Sequence, residues 1–216
     1  MTEDPFFLQR QRMVTEQIAA RGIRTPRLLA AMEKVPRHLF VPPEHLPWAY
    51  SDGPLPIGEG QTISQPYIVA LMTDLLDLTP TSRVLEVGTG SGYQAAILAE
   101  LAEEVHTVEI IPSLAQQAQA RLHQLGYTNV HVHVGDGSLG WPENAPYDGI
   151  LVAAAGPTVP PPLLEQLADG GRLVAPVGTR GFQVLQLVCR EGEKFSHQDN
   201  LPVAFVPLRG KYGSKE

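Results

Sequence analysis

Gly88, Gly90 and Gly92, spaced two apart behind the apolar run Val84-Leu85-Glu86-Val87, form the stretch of this chain best suited to chemistry. Glycine lets a backbone turn sharply and lets a ligand approach it, and the free N–H groups at the start of a following helix offer donors to a polar or anionic group. Tyr93 to Ala99 reads as that helix, which makes the unit a strand, a glycine loop and a helix. Glu86 lies inside the strand. Glu109 closes the next strand, about 20 residues beyond the loop, where a carboxylate can accept from both hydroxyls of a ribose. Asp136, in Gly135-Asp136-Gly137 after the third strand, is next along the same rim and can accept from an adenine amino group. Each acid also has an ordinary reading, Glu109 as a solvated side chain and Asp136 as an Asx-turn residue. Two acids falling beside one glycine loop favour a nucleoside ligand.

The pattern is selective about which nucleoside. A dinucleotide fingerprint needs G-x-G-x-x-G, and here Tyr93 stands at the third glycine's place, which disfavours a dehydrogenase. No Gly-Lys-Ser/Thr follows the loop, so a phosphate-binding P-loop is also excluded.

The surrounding elements must place these residues on one edge. The apolar spacing predicts a helix over Phe6 to Ala20 stopped at Gly22, and a second from Pro26 to Val35 capped by Thr25. Pro36 to Pro66 is a proline-rich stretch longer than an ordinary connection, either a functional entrance or an Ω-like loop packed on itself. A helix over Pro66 to Leu78 puts Ser64 or Gln65 at its N-terminus, where the Ser64 hydroxyl either caps the helix or helps to hold a carboxylate. Strands over Val105 to Glu109, Val130 to Val134 and Asp148 to Ala153 alternate with a helix over Leu114 to Leu125. A helix around Leu163 to Ala168 and a strand over Arg172 to Pro176 follow. The expected fold class is α/β, a doubly wound, mostly parallel sheet with helices on both faces. Phe182 to Arg190 and Pro202 to Leu208 read as two strands joined by the polar Glu191 to Asn200, an antiparallel C-terminal addition.

The 216 residues suit a single domain, with 1–78 as N-terminal helices and entrance and 79–216 as the cofactor-binding core. A net charge of -7 argues against nucleic acid as a partner. The single cysteine, Cys189, rules out an internal disulfide and reads as a core thiol; no metal site is expected. Met1 to Arg12 has no long apolar run, so neither a signal peptide nor a membrane anchor is expected, and the chain reads as cytoplasmic and monomeric.

Glu86-Val87-Gly88-Thr89-Gly90 resembles the S-adenosylmethionine-dependent methyltransferases as a broad class. Pro36-Arg37-His38-Leu39-Phe40-Val41-Pro42, Ala49-Tyr50-Ser51-Asp52, Leu55 to Tyr67 and Phe205-Val206-Pro207-Leu208 closely resemble the protein-L-isoaspartate O-methyltransferase family. That resemblance implies methyl transfer from S-adenosyl-L-methionine to the α-carboxylate of L-isoaspartyl residues in damaged proteins and peptides, with repair proceeding through a succinimide. It also implies that Ser64 is the active-site serine, that Thr62, Ile63, Ser64 and Gln65 contribute to the cofactor pocket, and that Glu86, Gly88, Gly90, Gly92, Glu109, Asp136 and Gly137 line the cofactor. Ala153-Ala154-Ala155-Gly156-Pro157 departs slightly from the family pattern and is assigned no polar contact. The rival readings are a methyltransferase acting on RNA or a small molecule, and a non-enzymatic S-adenosylmethionine-binding module.

Overall fold

The computed structural model describes residues 4–179 and 181–214. Helix α1 (Phe7–Arg12) runs on through a π-helical turn, Met13–Ile18, and a 3-10 turn, Ala19–Arg21, to Gly22. Helix α2 (Pro26–Lys34) starts at Pro26 as expected, but Thr25 makes no cap; its hydroxyl instead donates to Asp74, a long-range contact that competes with the local one. The proline-rich stretch contains 3-10 turns at Arg37–Phe40 and Pro43–Trp48, then a hairpin of β1 (Leu55–Gly58) and β2 (Gln61–Ile63). Glu59 and Gly60 both have positive φ, +53° and +69°, the geometry that turns a two-residue hairpin with the natural twist of its strands.

Helix α3 (Pro66–Leu76) precedes β3 (Arg83–Val87), α4 (Tyr93–Ala99), β4 (Glu104–Glu109), α5 (Pro112–Gln124), β5 (Val130–Val134) and β6 (Tyr147–Val152). Helix α6 (Pro161–Glu165), β7 (Leu167–Thr179), β8 (Phe182–Glu191) and β9 (Lys194–Val203) complete the chain. The seven-stranded sheet has the order β5-β4-β3-β6-β7-β8-β9, parallel through β7 and antiparallel for the last two strands. Alternation along each strand feeds two cores. Leu85, Ile150, Leu173 and Val188 point into one with Leu163 of α6, and Val84, Leu151, Val174 and Leu185 into the other with Met72 and Leu76 of α3. A third cluster joins Met13, Ile18, Leu28 and Phe40 to Tyr93 and Ile97 of α4, so the N-terminal helices pack on the glycine-loop helix.

Two C-terminal expectations are corrected. The helix around Leu163 ends at Glu165, and Leu167 already starts β7, whose pairing with β6 shifts register between Tyr147 and Gly149 of that strand. The polar Glu191 to Asn200 is not a connector; from Lys194 it is β9 itself, while Pro202 to Leu208 keeps only the tail of that strand and an isolated bridge between Pro207 and Ala155. At a sheet edge both faces of a strand meet water, so β9 carries no apolar alternation to betray it.

Candidate active site

Successive strands β3, β4 and β5 step one way across the sheet, and β6 returns to the other side of β3. Ligands in such sheets bind where the order reverses, beyond the carboxyl ends of the strands. A cleft lies there. It is lined from several elements: Gln61 to Ser64 from the hairpin, Gly88 to Ser91 from the glycine loop, Glu109 to Ile111 after β4, Gly137 after β5, and Phe205 to Arg209 from the C-terminal segment.

Gly88, Gly90 and Gly92 all have positive φ, +96°, +51° and +86°, which L side chains rarely adopt, so the loop demands glycine. The hairpin closes over it: a Cβ at Gly90 would lie 3.4 Å from Ile57 Cδ1, and Ser113 Oγ donates to Glu59 Oε1 at 2.8 Å. Glu109 is only 5% exposed, and its two oxygens accept from Gly90 N at 2.8 Å and Ile111 N at 3.0 Å. Each oxygen keeps a lone pair for a ligand hydroxyl. Val87, Val108 and Ile110 supply an apolar wall beside this carboxylate, suited to a flat base. Rim acid, glycine cradle and apolar slot together fit an adenosine-bearing cofactor.

The other expected residues are spread around this centre. Thr62, Ile63, Ser64, Gly88, Gly90, Glu109 and Gly137 line the cleft; Gln65 instead faces the adjoining outer groove that Thr62 and Ser64 share, and its side-chain amide donates to Asp52 Oδ1 at 2.8 Å. Gly92 is buried at the start of α4, its Cβ position 3.3 Å from Leu122 Cδ1. Glu86 is fully buried beneath the loop and outside the lining. Thr107 Oγ1 donates to its Oε2 at 2.5 Å, Thr107 is in turn 2.6 Å from the Thr89 hydroxyl, and Oε1 has no partner among the described residues. Burial pushes the Glu86 carboxyl up to about 8, the Thr107 hydrogen bond opposes this and the Glu109 charge adds to it. Asp136 is engaged by the chain itself: Oδ1 accepts from Ser138 N and Ser138 Oγ, and Oδ2 accepts from Lys211 N at 2.8 Å.

Ser64 makes no helix cap, and its hydroxyl has no hydrogen-bond partner among the described residues. Its backbone is held instead by Arg37, a residue not singled out as functional from the sequence. Arg37 is wholly buried, donates from Nε to Ala49 O and from Nη2 to Ser64 O, both at 2.8 Å, and lies over the Tyr93 ring at 4.9 Å. Desolvation lowers its guanidinium to about 10, so it stays charged at neutral pH. The Phe205 to Arg209 wall was also missed as a site element. Ala155 N donates to Val206 O and Leu208 N donates to Ala155 O, so the backbone of the Ala153 to Pro157 turn holds this wall in place.

A seven-stranded, doubly wound sheet with a positive-φ glycine loop at its switch point and an acid closing the next strand defines the class of S-adenosylmethionine-dependent methyltransferases. Within that class the family model described as protein-L-isoaspartate(D-aspartate) O-methyltransferase matches residues 8–213. The chain is 60% identical over 205 residues to the protein-L-isoaspartate O-methyltransferase of Methanoregula boonei, covering 95% of this chain and 94% of that one. It is 57% identical to that of Picosynechococcus, with 97% and 95% covered. A solved protein-L-isoaspartate O-methyltransferase structure superposes with a TM-score of 0.87 at 28% identity, covering 94% of this chain and 67% of that one. A Plasmodium falciparum structure of the same description, in complex with S-adenosyl-L-homocysteine, gives 0.80 at 24%, covering 93% of this chain and 98% of that one. The chain belongs to the protein-L-isoaspartate(D-aspartate) O-methyltransferase family, as its motifs suggest. The family, the fold and S-adenosylmethionine as methyl donor stand as expected. Among the described residues no helix is long and apolar enough to cross a membrane.

Proposed function

We propose that this chain binds S-adenosyl-L-methionine in the cleft and methylates the α-carboxylate of L-isoaspartyl residues in damaged proteins and peptides, with Ser64 orienting the acceptor. The observation that carries the reading is Ser64 itself, which lines both the cofactor cleft and the outer groove with its hydroxyl unclaimed and its backbone clamped by Arg37. When bound, the sulfonium supplies a methyl group already activated for transfer. An acceptor carboxylate with a pKa of about 4 is ionised at neutral pH, so no general base is needed and placement dominates. Ser64 donates to one oxygen of that carboxylate and leaves the other to approach the methyl carbon in line. Thr62, Ile63 and Gln65 shape the junction between cleft and groove and exclude water from it.

Toward the donor, Gly88, Gly90 and Gly92 give the methionine part a close backbone surface, Glu109 accepts from the ribose hydroxyls, and Gly137 leaves room for the base. Asp136 keeps a lone pair on Oδ2 for the adenine amino group. Glu86 fixes the loop from below through Thr107 and Thr89. The methyl ester so formed closes when the following backbone nitrogen attacks it and methanol leaves; hydrolysis of the resulting succinimide returns some normal aspartate.

We regard residues 1–216 as one domain, since one cluster runs from Met13 to Leu122, and we propose a monomer working in the cytoplasm. The -7 charge speaks against a nucleic-acid substrate. Sedimentation as a dimer at micromolar concentration would overturn the monomer. The function is tested with labelled S-adenosylmethionine and peptide pairs differing only in aspartyl or isoaspartyl linkage. Labelling confined to the isoaspartyl member is expected, and equal labelling of both would sink the assignment.

A further inference from the structure

The C-terminal segment is fastened to the cofactor rim at an unusual place. Asp136 Oδ2 accepts from Lys211 N at 2.8 Å, and the Ser138 hydroxyl that donates to Asp136 Oδ1 accepts from Tyr212 N at 3.1 Å. Gly210 between these anchors has a φ of +113°, and a Cβ there would fall 1.9 Å from Asp136 Oδ1, so the segment fits against the carboxylate only with glycine. Leu208 N donates to Ala155 O and Ser214 N donates to Leu208 O, which fixes the segment on both sides of Arg209.

That fastening has an electrostatic result. Among the described residues, Arg209 is the only cationic side chain lining the cleft, and it makes no ion pair there. It also lines a neighbouring groove that runs past Thr62, Phe205 and Pro207 to Gln183 and Ser214, and among the described residues no carboxylate lines that groove. Ser64 lines both the cleft and the outer groove, Arg209 lines both the cleft and this second groove, and Thr62 lines all three. A peptide lying across the mouth with its isoaspartyl carboxylate at Ser64 can place a flanking residue in the second groove beside the Arg209 guanidinium, which has no ion-pair partner among the described residues of a chain that is otherwise net negative.

We infer that Arg209 is a specificity-determining residue that favours isoaspartyl peptides with an acidic residue beside the damaged one, and that Asp136 acts through Gly210 and Lys211 as the positioning residue that holds it there. This rests on the acceptor reading given above. The preference is worth about three- to ten-fold in kcat/KM at low salt and shrinks as ionic strength rises.

The test is a set of isoaspartyl hexapeptides bearing Glu, Gln or Lys at the residue before or after the isoaspartyl position, assayed at low and high salt with the full chain. The parent enzyme is expected to favour Glu over Gln over Lys on one side. Arg209→Gln should level that order, Arg209→Lys should restore part of it, and Arg209→Glu should reverse it. Gly210→Ala, which drives the segment off Asp136, should level the order as Arg209→Gln does. An order unchanged in Arg209→Gln, or absent from an active parent enzyme, would overturn the inference while leaving the methyltransferase reading intact. A rise in KM for S-adenosylmethionine in place of the change in peptide order would put Arg209 on the cofactor and overturn it too. Inactivity of the parent on every isoaspartyl peptide would remove both.

Discussion

Arg37 Nη2 donates to the backbone carbonyl of Ser64 at 2.8 Å, and its Nε donates to Ala49 O at the same distance. One buried guanidinium thus ties the start of the proline-rich stretch to its end and fixes the direction in which Ser64 leaves the hairpin. Lysine has no fork with which to reach two separate carbonyls and would leave at least one without its donor. Arg37→Lys should lose about 2–4 kcal/mol of stability in urea unfolding. It should also raise KM for an isoaspartyl peptide, because the Ser64 backbone loses its anchor. Stability within about 0.5 kcal/mol of the parent would contradict the clamp.

Glu86 gives a pH signature. Its carboxyl is lifted from 4.5 to about 8 by burial, with Thr107 opposing and Glu109 adding to the shift. Between those two values the folded chain holds a proton that the unfolded chain has released. Stability therefore falls as pH rises through this window and levels off above it. Glu86→Gln keeps an acceptor for Thr107 and removes the titration. Its gain in Tm over the parent should be near zero at pH 4.5 and largest near pH 9, read by calorimetry across that range. A gain independent of pH would refute the assignment.

Glu109 holds Gly90 N and Ile111 N with separate oxygens. Glutamine offers one acceptor oxygen in place of two, so one of those amides and one ribose contact are lost together. Glu109→Gln should weaken S-adenosylmethionine binding by about ten-fold or more in a calorimetric titration, equivalent to about 1.4 kcal/mol. Unaltered affinity would remove Glu109 from the ribose.

Gly137 leaves no room for a methyl group: a Cβ there would lie 2.6 Å from Val87 Cγ1, a buried strand side chain directly before the glycine loop. Gly137→Ala should cost about 1–3 kcal/mol and shift the loop enough to lower cofactor affinity as well. A stable variant with normal binding would show that the loop tolerates the displacement.

The sheet's centre was legible because β3, β4 and β6 are buried on both faces and read as mainly apolar runs with glycine or acid at their ends, while β5, at the edge, shows as the alternation Val130-His131-Val132-His133-Val134. Glu109 and the loop glycines were readable for the same reason, since their spacing is set by one strand and one turn. The hairpin was hidden by strands of only four and three residues, one carrying Pro56, although Glu59-Gly60 is a turn signal that could have revealed it. Arg37 escaped because a charged residue among prolines reads as solvated, and nothing local tells that it is enclosed. The bond from Asp136 to Lys211 joins residues 75 positions apart and has no periodicity to announce it.

The edge strand β9 has a further consequence. From Lys194 to Asn200 its residues are exposed and mostly polar or charged, including Lys194, Ser196, His197, Gln198, Asp199 and Asn200. An enzyme whose clients are aged, partly opened proteins meets loose extended chains at every encounter, and a greasy free strand would zip onto them. A hydrophilic margin keeps such chains from accreting along the sheet, so that damaged protein engages the mouth of the cleft and is then released.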